Sequence, residues 1–247
     1  MMKRKGEVMM ETYQEFLDRI FSFEKKEWTY GDGYFKGNPS ISKKVNPDNT
    51  FRNFYGDTVV FELAASVKEK LAAFAAFLYQ SASDCFCERL VPQTFHVTLH
   101  DLSNSPVLQE VAKDVFENEL KVIEQMQQVQ KYEKTVLKMK SKAVFNMVDT
   151  SLVMGVYPAG GEDYRRMMEL YDIFDEVKRL PYPFTPHITL VYYNVYGFDV
   201  QAARGLEKAV RQLNEQEIEF ELSMGQLYYQ KFVSMNDYIN VINLARH

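Results

Sequence analysis

An α+β fold is predicted, with two lobes related by internal duplication, each an antiparallel sheet with outer helices, and a central cleft between them. Three observations predict it. Strand-like and helix-like stretches alternate through two comparable halves of the chain. The tetrapeptide His96-Val97-Thr98-Leu99 returns in the second half as His187-Ile188-Thr189-Leu190. The 247 residues are 46% hydrophobic and 26% charged, enough apolar surface for a packed core, which excludes a disordered, collagen-like or low-complexity chain.

Residues 1–56 read as an N-terminal extension, a helix followed by a turn-rich loop, and residues 57–247 as the two-lobed body. Tyr13, Phe16, Leu17, Ile20 and Phe21 recur at helical spacing and predict an amphipathic helix over 11–28. Gly37-Asn38-Pro39 and Asn46-Pro47-Asp48-Asn49 carry turn chemistry. The body opens with a β-branched strand, Thr58–Leu63. Ser66 and Glu69 then have capping-box spacing for a helix through about Gln80. Cys85–Val91 and Thr94–Leu102 read as a strand pair broken at Pro92. Ser105-Pro106 has the form of an N-cap followed by an N1 proline, opening a long helix with Val107, Val111, Val115 and Phe116 along one stripe.

Lys134–Val148 is long enough for two strands, and Ser151–Tyr157 supplies another. Tyr164, Met168, Tyr171 and Phe174 mark a helix over Asp163–Val177. His187–Tyr193, after Pro181, Pro183 and Pro186, reads as a strand. Asp199 caps a helix whose inner side holds Val200, Ala203, Ala209, Val210 and Leu213, and Ile218–Tyr229 and Tyr238–Leu244 close the chain as strands.

The histidines are few: His96, His100, His187 and His247. In a strand, residues i and i+2 share a face, so His96 projects with Thr98 and His187 with Thr189. One imidazole and one hydroxyl thus come from each half. The pairing suits phosphoester chemistry, in which a base takes a proton from the attacking oxygen and an acid protonates the leaving oxygen. Imidazole does either near neutrality. The threonine hydroxyls would donate hydrogen bonds to the non-bridging oxygens as charge builds there. No metal or cofactor is required.

Two H-x-[ST]-hydrophobic motifs on strands of a duplicated α+β body resemble the 2H phosphoesterase superfamily, which includes the LigT-like 2′-5′ RNA ligases and the 2′,3′-cyclic nucleotide phosphodiesterases. The resemblance covers about Asp57 to Leu244. It implies that His96 and His187 are paired acid and base, and that Thr98 and Thr189 are phosphate donors. The function expected on this basis is metal-independent hydrolysis of a small nucleotide or RNA-terminal phosphodiester, a 2′,3′-cyclic phosphate first among them, with ligation of RNA ends as the reverse reaction. The alternative is a non-catalytic module that binds a nucleotide or an RNA end in the same cleft.

Around this site, strand alternation puts His100 on the face of His96 as a rim residue and Asp101 on the other face, so a His96–His100 metal site lacks a convergent third ligand. Tyr193, on the face of His187, is a candidate for stacking on a base, and Arg52 is a candidate substrate contact from the extension. Lys36, Lys43 and Lys44 share that loop and read mainly as solvated charges. Cys85 and Cys87 form a C-x-C poorly placed for a disulfide, which suggests inert thiols in a reducing compartment. With 29 basic against 34 acidic residues the net charge is −5, unsuited to gripping duplex nucleic acid. No secretory leader is visible in Met1–Met10 and no stretch is apolar enough for a membrane span, so a cytoplasmic protein without membrane partners is expected.

Overall fold

The computed structural model describes residues 11–25, 28, 30 and 32–245, so that Met1–Met10 and His247 lie outside the described residues. In chain order the elements are α1 (Tyr13–Ser22), β1 (Tyr34–Phe35), β2 (Tyr55–Glu62), α2 (Ala65–Ala82), β3 (His96–Ser105), α3 (Leu108–Gln130), β4 (Val136–Met147) and β5 (Ser151–Pro158). There follow α4 (Gly161–Asp175), β6 (His187–Tyr192), β7 (Phe198–Asp199), α5 (Val200–Leu213), β8 (Glu219–Ser223), β9 (Leu227–Ser234) and β10 (Asp237–Asn243).

Two four-stranded antiparallel sheets carry the lobes, in the orders β10-β9-β2-β3 and β6-β5-β4-β8. Each repeated tetrapeptide thus lies on an edge strand, and the two edges, β3 and β6, lie against one another. Helix α3 packs on β2 and β3, α5 on β4, and α2 on α5 and β6. One continuous core runs through both lobes, holding Val97, Leu99, Ile188 and Leu190 from the two motifs, as strand alternation requires. No helix among the described residues is long and apolar enough to cross a membrane.

Several local expectations shift. Asp199 caps α5 as predicted, its carboxylate accepting from Ala202 N–H. Helix α2, however, starts at Ala65 with no side-chain cap, so Ser66 falls inside the first turn. Ser105 still pairs in β3, opposite Tyr55, which delays α3 to Leu108; its hydroxyl accepts from Val107 N–H and donates to Glu110. Val111 is buried, but Val107 and Phe116 are exposed. The segment 85–91 does not pair with 94–102. It crosses to the end of β6 instead, where Phe86 bridges Tyr193 and Cys87 N–H donates to Tyr192 O. Val136–Met147 is one strand, with an irregularity between Ser141 and Val144 that lets it bend between partners β8 and β5.

The N-terminal residues are tied into the body. Thr12 and Glu15 form a capping box for α1, which buries Phe16 and Ile20 against Tyr164 of α4. β1 pairs with β7, where Gly197 has φ +81° and a Cβ would meet Phe35 O at 2.1 Å, a backbone approach only glycine permits. Ile41, Val45 and Phe54 form a small core with Cys87, Tyr192, Phe232 and Met235. The free thiols of Cys85 and Cys87 are buried, and burial pushes each up to about 12, which leaves them protonated and unreactive at neutral pH.

Candidate active site

His96, Thr98, His187 and Thr189 line one cleft of about 190 Å³, with Lys44, Phe54, Asp101, Tyr192 and Tyr238 also on its walls. The sequence repeat is longer than the tetrapeptide: Thr94-Phe95-His96-Val97-Thr98-Leu99 matches Thr185-Pro186-His187-Ile188-Thr189-Leu190. The added threonine has a geometric use. His96 Nδ1 lies 2.7 Å from Thr94 O, and His187 Nδ1 lies 2.8 Å from Thr185 O. A carbonyl only accepts, so Nδ1 carries the proton in each ring, and in the neutral form Nε2 holds the free lone pair. Each imidazole is held in one tautomer by the carbonyl just ahead of its own strand.

The register of both edge strands slips at the same motif position. Thr98 pairs with Val60 and His100 with Val59, leaving Leu99 unpaired as a bulge; Thr189 pairs with Val153 and Val191 with Leu152, leaving Leu190 likewise. A bulge inverts the alternation beyond it. His100 is therefore turned into the interior and Asp101 into the cleft, the opposite of the simple strand expectation. On β6 the same inversion turns Val191 inward and brings Tyr192, not Tyr193, to the cleft wall. Tyr193 is fully buried among Trp28, Phe35, Phe86 and Phe198, where no base can stack on it.

Arg52 also lies away from the cleft, exposed, with its guanidinium donating to Ser42 O. From the same loop it is Lys44 that reaches the cleft, and no sequence signal separated it from its neighbours. Periodicity likewise missed Tyr192, Tyr238, Phe54 and Asp101, whereas the extra Thr94 and Thr185 were readable in the repeat.

Burial pushes the His96 imidazole down to about 4, opposed by its bond to Thr94 O and by the Asp101 carboxylate. Burial also pushes His187 down, opposed by Thr185 O and Asp101. Both rings are thus neutral lone-pair carriers before an anion arrives. Among the described residues, neither Nε2 atom nor either threonine hydroxyl has a hydrogen-bond partner, so all four are available to a ligand. His100 takes no part, because its Nδ1 donates to Asp101 O and its Nε2 faces Asp175 Oδ1 at 3.6 Å. Among the described residues no group of three or more His, Cys, Asp or Glu side chains is placed to hold a metal ion.

No protein-family profile matches the sequence, and no curated protein matches it. Solved structures do. A conserved protein of unknown function from Agrobacterium tumefaciens is 16% identical with a TM-score of 0.59, the match covering 85% of this chain and 94% of that one. LigT of Escherichia coli, in complex with 3′-AMP, is 13% identical with a TM-score of 0.47, over 76% of this chain and 96% of that one. A structure described as a phosphoesterase is 13% identical with a TM-score of 0.46, over 76% and 95%. The chain shares its two-lobed α+β fold with the Agrobacterium protein over nearly that protein's whole length.

Proposed function

We propose that this chain is a 2H phosphoesterase that hydrolyses a 2′,3′-cyclic phosphate on a small nucleotide or an RNA end, without a metal. The observation that supports the reading is the twin site: two T-x-H-x-T-L segments, each with its imidazole held by the carbonyl two residues before it, facing one cleft. One imidazole Nε2 takes a proton from water as the water oxygen attacks phosphorus. The bond from phosphorus to one ribose oxygen breaks, and the other imidazole, protonated at Nε2, delivers its proton to that oxygen. Thr98 and Thr189 donate to the non-bridging oxygens, where negative charge accumulates. Two imidazoles supply both proton transfers, so no Lewis acid is needed. The reducing, cytoplasmic setting expected from the sequence is consistent with two buried thiols left unpaired.

The test is release of phosphomonoester from a panel of 2′,3′-cyclic nucleotides, run beside thermal-shift measurements with the same compounds. Turnover that survives chelator supports the reading. Thermal stabilisation with no turnover at any pH would leave a binding module, and turnover lost to chelator and restored by a divalent ion would end metal independence.

A further inference from the structure

The reacting group of a phosphodiester is an anion, yet neither lobe brings a permanent positive charge to the cleft. Among the residues lining it, both imidazoles are held neutral by burial, and the one Lys or Arg is Lys44, from the loop before β2. That loop is built to hold its position. Pro39–Lys43 form a 3₁₀ turn capped by Asn38, whose backbone N–H donates to Asp149 O in the second lobe at 2.8 Å. At its other end Phe54 N–H donates to Val233 O in the first lobe at 2.9 Å. The backbone of Lys44 itself is bonded on both sides, its N–H to Ile41 O and its carbonyl to Arg52 N–H. The loop therefore spans both lobes at the cleft.

The Lys44 side chain is half-buried between two aromatic faces, with Nζ 5.3 Å from the Phe54 ring centre and 5.1 Å from that of Tyr192. The attraction of both ring faces for the ammonium holds the long stem in place against its loss of rotamer freedom. Among the described residues its ammonium has no hydrogen-bond acceptor and no carboxylate within ion-pair distance. It faces the cleft beside the Thr98 and Thr189 hydroxyls, and that gathering of unpartnered donors is the complement of a phosphoryl oxygen.

We propose that Lys44 is the phosphate-binding cation of this site, donating from Nζ to a non-bridging oxygen of the reacting phosphodiester beside the two threonine hydroxyls. The N-terminal segment, and neither of the duplicated lobes, then supplies the site's permanent positive charge. The assignment rests on the phosphoesterase reading for its substrate, but it extends to inorganic phosphate, the product-like anion, and so can be tested apart from turnover.

The experiment measures inorganic phosphate binding by titration calorimetry, and kcat/KM on 2′,3′-cyclic nucleotides, for the full chain and for K44M, K44Q, K44R and K43M. Thermal melting of each variant verifies folding, and two uncharged replacements guard against one that disturbs the loop. K44M and K44Q should each weaken phosphate binding and lower kcat/KM by about 10- to 100-fold, the range for a charge-assisted hydrogen bond. K44R should retain most of both. K43M removes the same charge from the exposed neighbouring residue and should change neither by more than about twofold. Phosphate affinity unchanged in folded K44M and K44Q, or lost equally in K43M, would overturn the assignment while leaving any hydrolysis by the wild-type chain intact. Phosphate affinity that collapses in K44M, in a protein that hydrolyses no cyclic nucleotide, would uphold the Lys44 site and end the phosphoesterase reading instead.

Discussion

The two lobes meet the cleft with the same backbone and different chemistry. Up to the bulge they are copies: a threonine carbonyl fixes the imidazole, the next threonine presents its hydroxyl, and a leucine is left unpaired at the same place. Past the bulge they part. The first lobe turns His100 inward, against Tyr171 at 4.7 Å between ring centres, and offers the Asp101 carboxylate to the cleft. The second turns Val191 inward and offers the Tyr192 ring, over which Lys44 sits. Duplication of the backbone thus brings two similarly held imidazoles to the cleft, and divergence of the next residues makes the two ends of the cleft unlike. On the proposed reading, a single phosphorus needs equivalent reach from both sides, and the duplicated backbone would supply it.

If the duplicated part is the chemical machinery, breaking either copy should cost the most. His96→Ala and His187→Ala should each lower kcat/KM by about 10²- to 10⁴-fold on a hydrolysed cyclic nucleotide. The double variant should lose far less than the product of the two, because both rings act on one transition state. Near-wild-type turnover in either single variant would break the equivalence of the lobes. The hydroxyls come next. Thr98→Ala and Thr189→Ala should each cost about 10-fold, appearing in kcat more than in KM, since each bond strengthens as charge reaches the phosphoryl oxygens. A loss confined to KM would mean that the hydroxyls bind the ground state alone.

The duplicated half of this comparison was legible in the sequence, and the divergent half was not. The repeat, the alternation of strands and helices, and the cap at Asp199 are local patterns, and they emerged where expected. The bulges were hidden because nothing in His-x-Thr-Leu distinguishes a leucine that continues the pairing from one that slips it. One unpaired residue in each edge strand was enough: Leu99 moved Asp101 into the cleft and His100 out of it, and Leu190 exchanged Tyr193 for Tyr192. Ser66 and Ser105 had the right spacing for caps, but where the neighbouring strand ends decides the start of the helix. Lys44 is placed by the bonds at the ends of its loop, from Asn38 N–H to Asp149 O and from Phe54 N–H to Val233 O, partners distant in sequence and invisible to any local pattern.

The pH profile sharpens the comparison in another way. Burial holds His96 at about 4 and His187 below the usual imidazole range in the free protein. The form with one ring charged and one neutral is then most populated below about pH 6.5, the ordinary imidazole value, so the bell in kcat/KM should be centred on the acid side of it. A bound phosphodiester anion favours imidazolium, and the bell in kcat should lie at higher pH than that in kcat/KM. Its two limbs belong to the coupled pair and not to one ring each. Coincident bells, or a flat profile from pH 5 to 9, would remove the anion's part in charging the acid.

The smallest effect is expected from Asp101, and it tests the divergent half directly. Its carboxylate opposes burial at both histidines, favouring imidazolium from the first-lobe end of the cleft. Asp101→Asn keeps the shape and removes the charge, so both imidazoles should become harder to protonate and the bell in kcat/KM should move toward acid. Because Asp101 is exposed, water and salt screen it, and the displacement should stay under about one pH unit. On the alkaline limb, where the rate is limited by the fraction of protonated acid, that shift lowers the rate at pH 7 a few-fold, up to about 10-fold for a full unit. The loss should be recovered at lower pH and should shrink as ionic strength rises. Tyr182 donates to the same carboxylate at 3.3 Å, so Tyr182→Phe, which removes that bond and keeps the charge, separates the two roles. The Tyr182 variant should leave the bell in place. A bell lowered without displacement in the Asp101 variant, or moved toward alkali, would mean that this carboxylate contacts the substrate instead of setting the charge of the two rings.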